Sequence, residues 1–248
     1  MIDHKDTILD ELAMISHEFR RPLDTISKSA ELVNRAAEMG TLDNEKLNEI
    51  MNGIISGCHR LSHLTTQIMN LAQIENKPIK VVVERHNVAD FLTELKAFLS
   101  FYEQSKNIKF SFSIKLKDPY IVCDFKKLER ILLNLISNAV KYSRKNSRHV
   151  TIKAYDEGSF VFFSVKDKGL GIPEHEQKKI FNKFYRVEDF ETRLTEGCGL
   201  GLTIVRHYTE ALGGKIELIS TEGKGSEFIV QLPRNQEHRR HPSKLFEA

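Results

Sequence analysis

Near the start of the chain a histidine is followed at once by a glutamate, and a proline stands five positions on: His17, Glu18 and Pro22 in SHEFRRP. An imidazole nitrogen is a nucleophile, and a carboxylate beside it can take its proton. On position alone, a solvated surface histidine is the simpler reading. The neighbours shift it. In a helix, Pro22 has no N–H to give to the Glu18 carbonyl, so the ladder weakens at the turn where a mobile imidazole and carboxylate would meet a substrate. Further on, DKGLGIP (Asp167, Gly169, Gly171) follows the apolar run SFVFFSV. Glycines let backbone approach a ligand closely, and an aspartate at a strand end can accept a hydrogen bond from an exocyclic amine. GCGLGL (Gly197, Gly199, Gly201) opens a helical pattern, where backbone amides and a helix N-terminus suit phosphate. A simple turn is the plainer account of one such motif, and neither carries a Walker lysine or a complete dinucleotide fingerprint. In NLISNAVKYS, Asn134 and Asn138 are one helical turn apart, and their hard amide oxygens suit Mg²⁺ held jointly with phosphate.

Two kinds of element must position these groups. Ile8, Leu12, Ile15, Phe19, Ile26, Ala30 and Val33 form a heptad stripe, with Pro22 taking one of its positions. A second stripe runs through Leu47, Ile50, Ile54, Gly57, Leu61, Leu64, Ile68 and Leu71, and EMGTLD separates the two. His17 lies two residues from both Ile15 and Phe19, roughly opposite the apolar stripe. The spacing predicts a helical hairpin over 1–76. Since a lone hairpin buries both stripes poorly, it also predicts a homodimer with a four-helix bundle. After ENKP the period changes. VVVER, KFSFSIK, HVTIKAY, SFVFFSVKD, KIELIS and SEFIVQL read as strands, with helical patterns at about 88–104, 125–142 and 200–212. This predicts an α/β sandwich over 77–233, a sheet covered on one face by helices. The polar, basic stretch 234–248 reads as a flexible tail.

Composition limits the rest. A net charge of +3 gives no case for nucleic acid as a partner. No apolar run approaches the ~20 residues of a membrane helix, and no signal peptide is evident. Three widely spaced cysteines make no disulfide framework, which fits a reducing, cytoplasmic setting. CHRLSH (Cys58, His59, His63) matches no common zinc spacing, and helix packing is its better reading.

Taken in order, the motifs resemble the transmitter region of sensor histidine kinases of two-component systems. SHEFRRPL resembles the H box, NLISNAVKYS the N box, DKGLGIP the G1 box, IFNKFYR the F box and GCGLGL the G2 box; TEGKGSEF resembles the glycine turn before the last strand. The resemblance covers roughly residues 5 to 233. It implies a dimerisation and phosphotransfer hairpin followed by an ATP-binding domain of the Bergerat type, shared with gyrase-like ATPases and Hsp90-like chaperones. By position, His17 takes the γ-phosphoryl group of ATP and Glu18 accepts its proton. Asn138 coordinates Mg²⁺ with support from Asn134, Lys141 contacts phosphate, and Tyr142 lies near the adenine. Asp167 accepts the adenine amine, with Gly169 and Gly171 allowing the close approach. The segment from about 174 to 201 is the ATP lid, anchored by Phe181 and Phe184. Arg186 reaches the transferring phosphoryl, and Gly197, Gly199, Leu200 and Gly201 line the triphosphate. The partner that the resemblance implies is the receiver domain of a response regulator. The resemblance further implies the cytoplasmic part of a longer sensor, held at a membrane only through a region this chain lacks.

Three positions depart from the family pattern. Cys198 replaces the usual Thr or Ser of the G2 box, and Ser226 stands where Thr is usual. Arg21 occupies the position four after the histidine, commonly Thr or Asn, which is thought to orient the water that dephosphorylates the regulator. Arginine cannot accept a hydrogen bond, so weak phosphatase activity is expected. Two other classes stay open on sequence alone: a nucleotide-binding scaffold without catalysis, and an ATPase or chaperone of the same nucleotide fold. The intact His17, Glu18, Asn138 and glycine set argues against the first. The H-box hairpin argues against the second.

Overall fold

The heptad stripes become two helices in the computed structural model, which describes residues 3–40, 43–76, 79–106, 108–144, 148–187 and 198–236. Helix α1 spans Asp3–Glu38 and α2 spans Asn44–Asn76. Gly40, in the left-handed region at φ 63°, lies in the turn that ends α1. Asp43 caps α2, its Oδ1 accepting the Lys46 N–H at 2.7 Å. The stripes face one another: Leu64 and Leu71 are buried, and Ile15, Phe19, Ile26, Leu47, Ile50 and Ile54 are half-buried. The helices cross closely where α2 has small residues. A Cβ on Gly57 would lie 2.6 Å from Ile26 Cγ1 and 3.1 Å from the Pro22 carbonyl oxygen. Pro22 itself is buried, and α1 runs through it without a break. A second apolar set remains exposed on this hairpin, including Leu12, Leu23, Leu32, Met51, Ile55 and Met69.

The chain divides into two compact units, Met1–Ala72 and Gln73–Ala248. The second holds β1 (Glu84–Asn87), α3 (Val88–Lys106), β2 (Lys109–Lys115), β3 (Tyr120–Cys123), α4 (Phe125–Lys141), β4 (His149–Glu157), β5 (Phe160–Asp167), α5 (Gly201–Ala211), β6 (Lys215–Thr221) and β7 (Gly225–Pro233). Five strands form one sheet in the order β2-β4-β5-β7-β6, parallel only between β2 and β4. Register aligns Ile152, Val165 and Phe228, and likewise Ala154, Phe163 and Val230. All six are buried, so one sheet face carries the core under α4 and α5. The other face is polar. There Glu227 accepts from Ser164 Oγ at 2.6 Å and from Lys166 Nζ at 3.0 Å, and these partners hold its carboxyl below the usual range despite its burial.

Strands β1 and β3 pair antiparallel as a separate small sheet. The stretch expected to begin a loose tail is anchored there over its first three residues. Arg234 Nη1 donates to the carbonyls of Asp118 and Tyr120, Asn235 bridges to Val122, and Gln236 is buried. Residues 237–248 lie outside the described residues.

Candidate active site

Helix α4 separates its two jobs by face. Asp124 caps its start, accepting the Lys127 N–H through Oδ1, while Oδ2 accepts from Val82 N and Lys127 Nζ. Leu128, Ile131, Leu132, Leu135, Ile136 and Ala139 are buried. Asn134, Asn138 and Lys141, spaced by four and three, are half-buried on another face. Asn134 Nδ2 donates to the Arg130 carbonyl at 2.8 Å. Its Oδ1 lies 3.2 Å from where a Cβ on Gly201 would sit, so the N-box helix and the start of α5 meet at this residue. The Asn138 carboxamide makes no hydrogen bond among the described residues. Tyr142 ends the helix, its N–H donating to the Asn138 carbonyl at 3.0 Å.

Asp167 ends β5 and is buried. Its Oδ1 accepts the Gly169 N–H at 2.8 Å and the Ser226 N–H at 3.2 Å. Burial pushes the carboxyl upward, opposed by these two amides. The loop after it is sewn to both neighbours. Leu170 N donates to the Tyr142 carbonyl at 3.1 Å, and Gly223 N donates to the Leu170 carbonyl at 2.6 Å. A side chain on Gly169 would press into the Tyr142 carbonyl oxygen, which only glycine avoids. Gly171 lies against Thr221 in the same way. Asn138, Tyr142, Gly169 and Asp167 are thus joined by short links, while Asn134 meets Gly201.

The F-box and G2 residues meet each other. Thr203 Oγ1, in the first turn of α5, donates to the Phe181 carbonyl at 3.0 Å, and Phe181 meets Phe228 edge to face. Phe184 is buried with φ 59°, a conformation that bulky side chains rarely adopt and that surrounding structure must hold. What holds it is Gly199, itself at φ 71° and so close that a Cβ there would collide with the Phe184 backbone. Leu200 is fully buried, and Cys198 is buried beside it. Arg186 is half-buried. Gly197 and the rest of 188–197 lie outside the described residues. Sequence reading missed Thr203 and the strain at Phe184; no local pattern marks either, because each depends on a partner distant in the chain, Phe181 for Thr203 and Gly199 for Phe184.

The first unit carries the other candidate group. His17 is exposed on α1, away from the seam marked by Ile15 and Phe19. Glu18 is half-buried, and Arg21 Nη1 lies 3.6 Å from its Oε1 as an ion pair one turn along. Thr25 Oγ1 donates to the Arg21 carbonyl at 3.1 Å. Among the described residues no cluster of three or more His, Cys, Asp or Glu could hold a metal ion, and no helix is long and apolar enough to cross a membrane.

Comparison with known proteins assigns families to both units. Residues 8–77 match the family model described as "His Kinase A (phospho-acceptor) domain", and residues 123–236 match "Histidine kinase-, DNA gyrase B-, and HSP90-like ATPase". The chain is 32% identical over 231 residues to the sensor histidine kinase WalK of Bacillus subtilis (strain 168), covering 91% of this chain and 36% of that protein. It is 30% identical over 226 residues to the aerobic respiration control sensor protein ArcB of Escherichia coli (strain K12), covering 89% of this chain and 28% of that one. The chain therefore spans about a third of the length of these curated relatives. Among solved structures, the histidine kinase ThkA in complex with response regulator protein TrrA is similar with TM-score 0.66 and 25% identity, over 94% of this chain and 64% of that chain. Full-length ShkA in complex with AMPPNP is similar with TM-score 0.65 and 28% identity, over 90% of this chain and 45% of that chain.

Proposed function

The chain belongs to the histidine kinases of two-component systems, and from that premise we propose that it phosphorylates its own His17 from Mg-ATP and passes the phosphoryl group to an aspartate of a response regulator. The observation that carries the reading is that one chain holds both an exposed His17 beside Glu18 and, in its second unit, a buried Asp167 whose Gly169 turn packs on Tyr142 at the end of the helix bearing Asn138, with Asn134 of that helix against Gly201.

Asp167 accepts the adenine amine through Oδ2, since both of its backbone hydrogen bonds fall on Oδ1. Gly169 and Gly171 admit the base, with Tyr142 beside it. Gly197, Gly199, Leu200 and Gly201 receive the triphosphate together with the N-terminus of α5. Lys141 and Arg186 offset its charge. Asn138 would hold Mg²⁺, which would neutralise charge on the transferring group, and its unengaged carboxamide fits that role. At His17 the ring N–H proton passes to Glu18, and the nitrogen lone pair attacks the γ-phosphorus in line. The new N–P bond replaces the P–O bond to ADP.

The exposed apolar residues of the hairpin, Leu12, Leu23, Leu32, Met51, Ile55 and Met69, are covered by a second copy in a four-helix bundle. Arg21 offers only donors where a water must be oriented, so dephosphorylation of the regulator is weak. Phosphorylated cognate regulator decaying faster with this protein than alone would overturn that last point.

Incubation with γ-labelled ATP tests the whole. An acid-labile, base-stable label that disappears in His17→Gln supports the kinase. Nucleotide binding without label would make the protein a scaffold, and phosphate release without label would make it an ATPase.

A further inference from the structure

We propose that Arg21 is a phosphoryl-holding residue: its guanidinium pairs with Glu18 before the reaction and moves to the phosphoryl group on His17 after it. This rests on His17 being the phosphorylated residue. The resting partner is observed, with Arg21 Nη1 3.6 Å from Glu18 Oε1. Long helical side chains lean toward the helix N-terminus, onto the residues three and four positions back. For Arg21 those residues are Glu18 and His17, and the contact with Glu18 shows that the side chain leans this way. Residues four apart on a helix have Cβ atoms about 5–6 Å from each other, within reach of an arginine. Arg21 is half-exposed and His17 exposed, so neither must leave a packed core to meet.

The competition favours the phosphoryl group. It brings close to two negative charges and three acceptor oxygens, against one charge on the carboxylate, and it matches the planar donor fork of arginine. The kinetic consequence of the exchange follows from charge. Loss of the phosphoryl group to water is assisted by protonation of the leaving imidazole nitrogen, the origin of the acid lability of an N–P bond. A cation held on the phosphoryl oxygens lies beside that nitrogen and disfavours its protonation. Arg21 therefore lengthens the lifetime of the N–P bond. The residue that removes a phosphatase acceptor also preserves the donor.

The experiment follows the decay of labelled full-length chain after removal of ATP and chelation of Mg²⁺. In low salt, Arg21→Gln should lose label about two- to five-fold faster than the parent, the span expected of a solvent-exposed charge pair. Arg21→Lys should fall between them. Raising salt should move the parent toward Arg21→Gln and leave Arg21→Gln nearly unchanged, a response that a merely structural role would not give. Arg20, three residues after His17, is the comparator. Equal lifetimes for parent and Arg21→Gln, or a larger effect from Arg20→Gln, would overturn the proposal. If ATP leaves no label on the parent, the kinase reading fails separately. His17 is then loaded chemically with phosphoramidate, and its decay is read by mass spectrometry of the His17 peptide.

Discussion

Replacing Asp167 with asparagine should separate nucleotide recognition from folding. Both backbone donors, Gly169 N at 2.8 Å and Ser226 N at 3.2 Å, end on Oδ1. Asparagine can keep a carbonyl oxygen there, so both buried amides retain their acceptor. At the Oδ2 position it presents an NH₂ group, and an adenine amine then meets a donor. A hydrogen bond to a charged group contributes about 1.5–3 kcal/mol, so ATP affinity should fall about 10- to 140-fold. Stability should move the other way. Burial raises the Asp167 carboxyl above its unfolded value, so its contribution is fully present below the ordinary carboxylate range and is lost as pH rises through the folded value. At neutral pH the ionised group burdens the fold, and the neutral amide does not. Titration calorimetry with ATP, paired with thermal unfolding at pH 7, reads both effects. Asp167→Ala is the contrast: it orphans two buried amides at about 1–3 kcal/mol each, so affinity and melting temperature should fall together. An Asp167→Asn protein that binds ATP within two-fold of the parent, or that melts several degrees lower, would refute the assignment of the two oxygens.

Three other perturbations have definite signs. Gly57→Ala should destabilise the hairpin by about 1–3 kcal/mol despite alanine's better helix propensity, because its Cβ meets Ile26 and the Pro22 carbonyl; Gly53→Ala, facing only the Ser29 side chain, should be tolerated, and helical melting by circular dichroism compares the two. Gly199→Ala should cost ATP binding and loosen the Phe184 contact, seen as faster amide exchange at 181–186, since both the left-handed backbone and the close approach forbid a Cβ. Asp124 and Glu227 are held below their ordinary values of 3.8 and 4.5 by Lys127 and Val82, and by Ser164 and Lys166; each contributes stability above its unfolded value that is lost as pH falls through the folded one. Asp124→Asn should therefore flatten the acid limb of the stability curve below about pH 4, as measured by denaturant unfolding across pH.

Where a feature depends on neighbours in the chain, sequence reading reached it. The alternation of FVFFSVKD survives as a strand with every second residue in the core, and the helical stretches at 88–104, 125–142 and 200–212 emerge as α3, α4 and α5 with ends moved by one or two residues. VVVER misled: three β-branched residues promise a strand, yet only its end joins β1, because Val82 N–H is held by the Asp124 carboxylate instead of a ladder. YIVC is too short and too uniformly apolar to announce a strand, yet it forms β3 with Ile121 and Cys123 buried. The parallel step from β2 to β4, skipping β3, has no local signal at all. The candidate site divides the same way. Asp167 and its glycines are visible in DKGLGIP, but the Ser226 amide that shares Oδ1 lies 59 residues further on.

Pro22 shows how the two kinds of information combine. Its ring denies the Glu18 carbonyl an N–H, and sequence reading took that as loosening the helix beside His17. In the structure α1 continues to Glu38, and Pro22 is buried with its carbonyl 3.1 Å from where a Gly57 Cβ would stand. A proline that bent α1 sharply would lift this carbonyl from Gly57 and open the closest approach of the two helices. The packing therefore opposes the freedom that the missing hydrogen bond would allow. Any motion needed to bring His17 to a phosphoryl group must then come from side chains or from whole units, not from a break in α1. Beside His17, the Arg21 guanidinium contacts Glu18 from the next turn of the same unbroken helix.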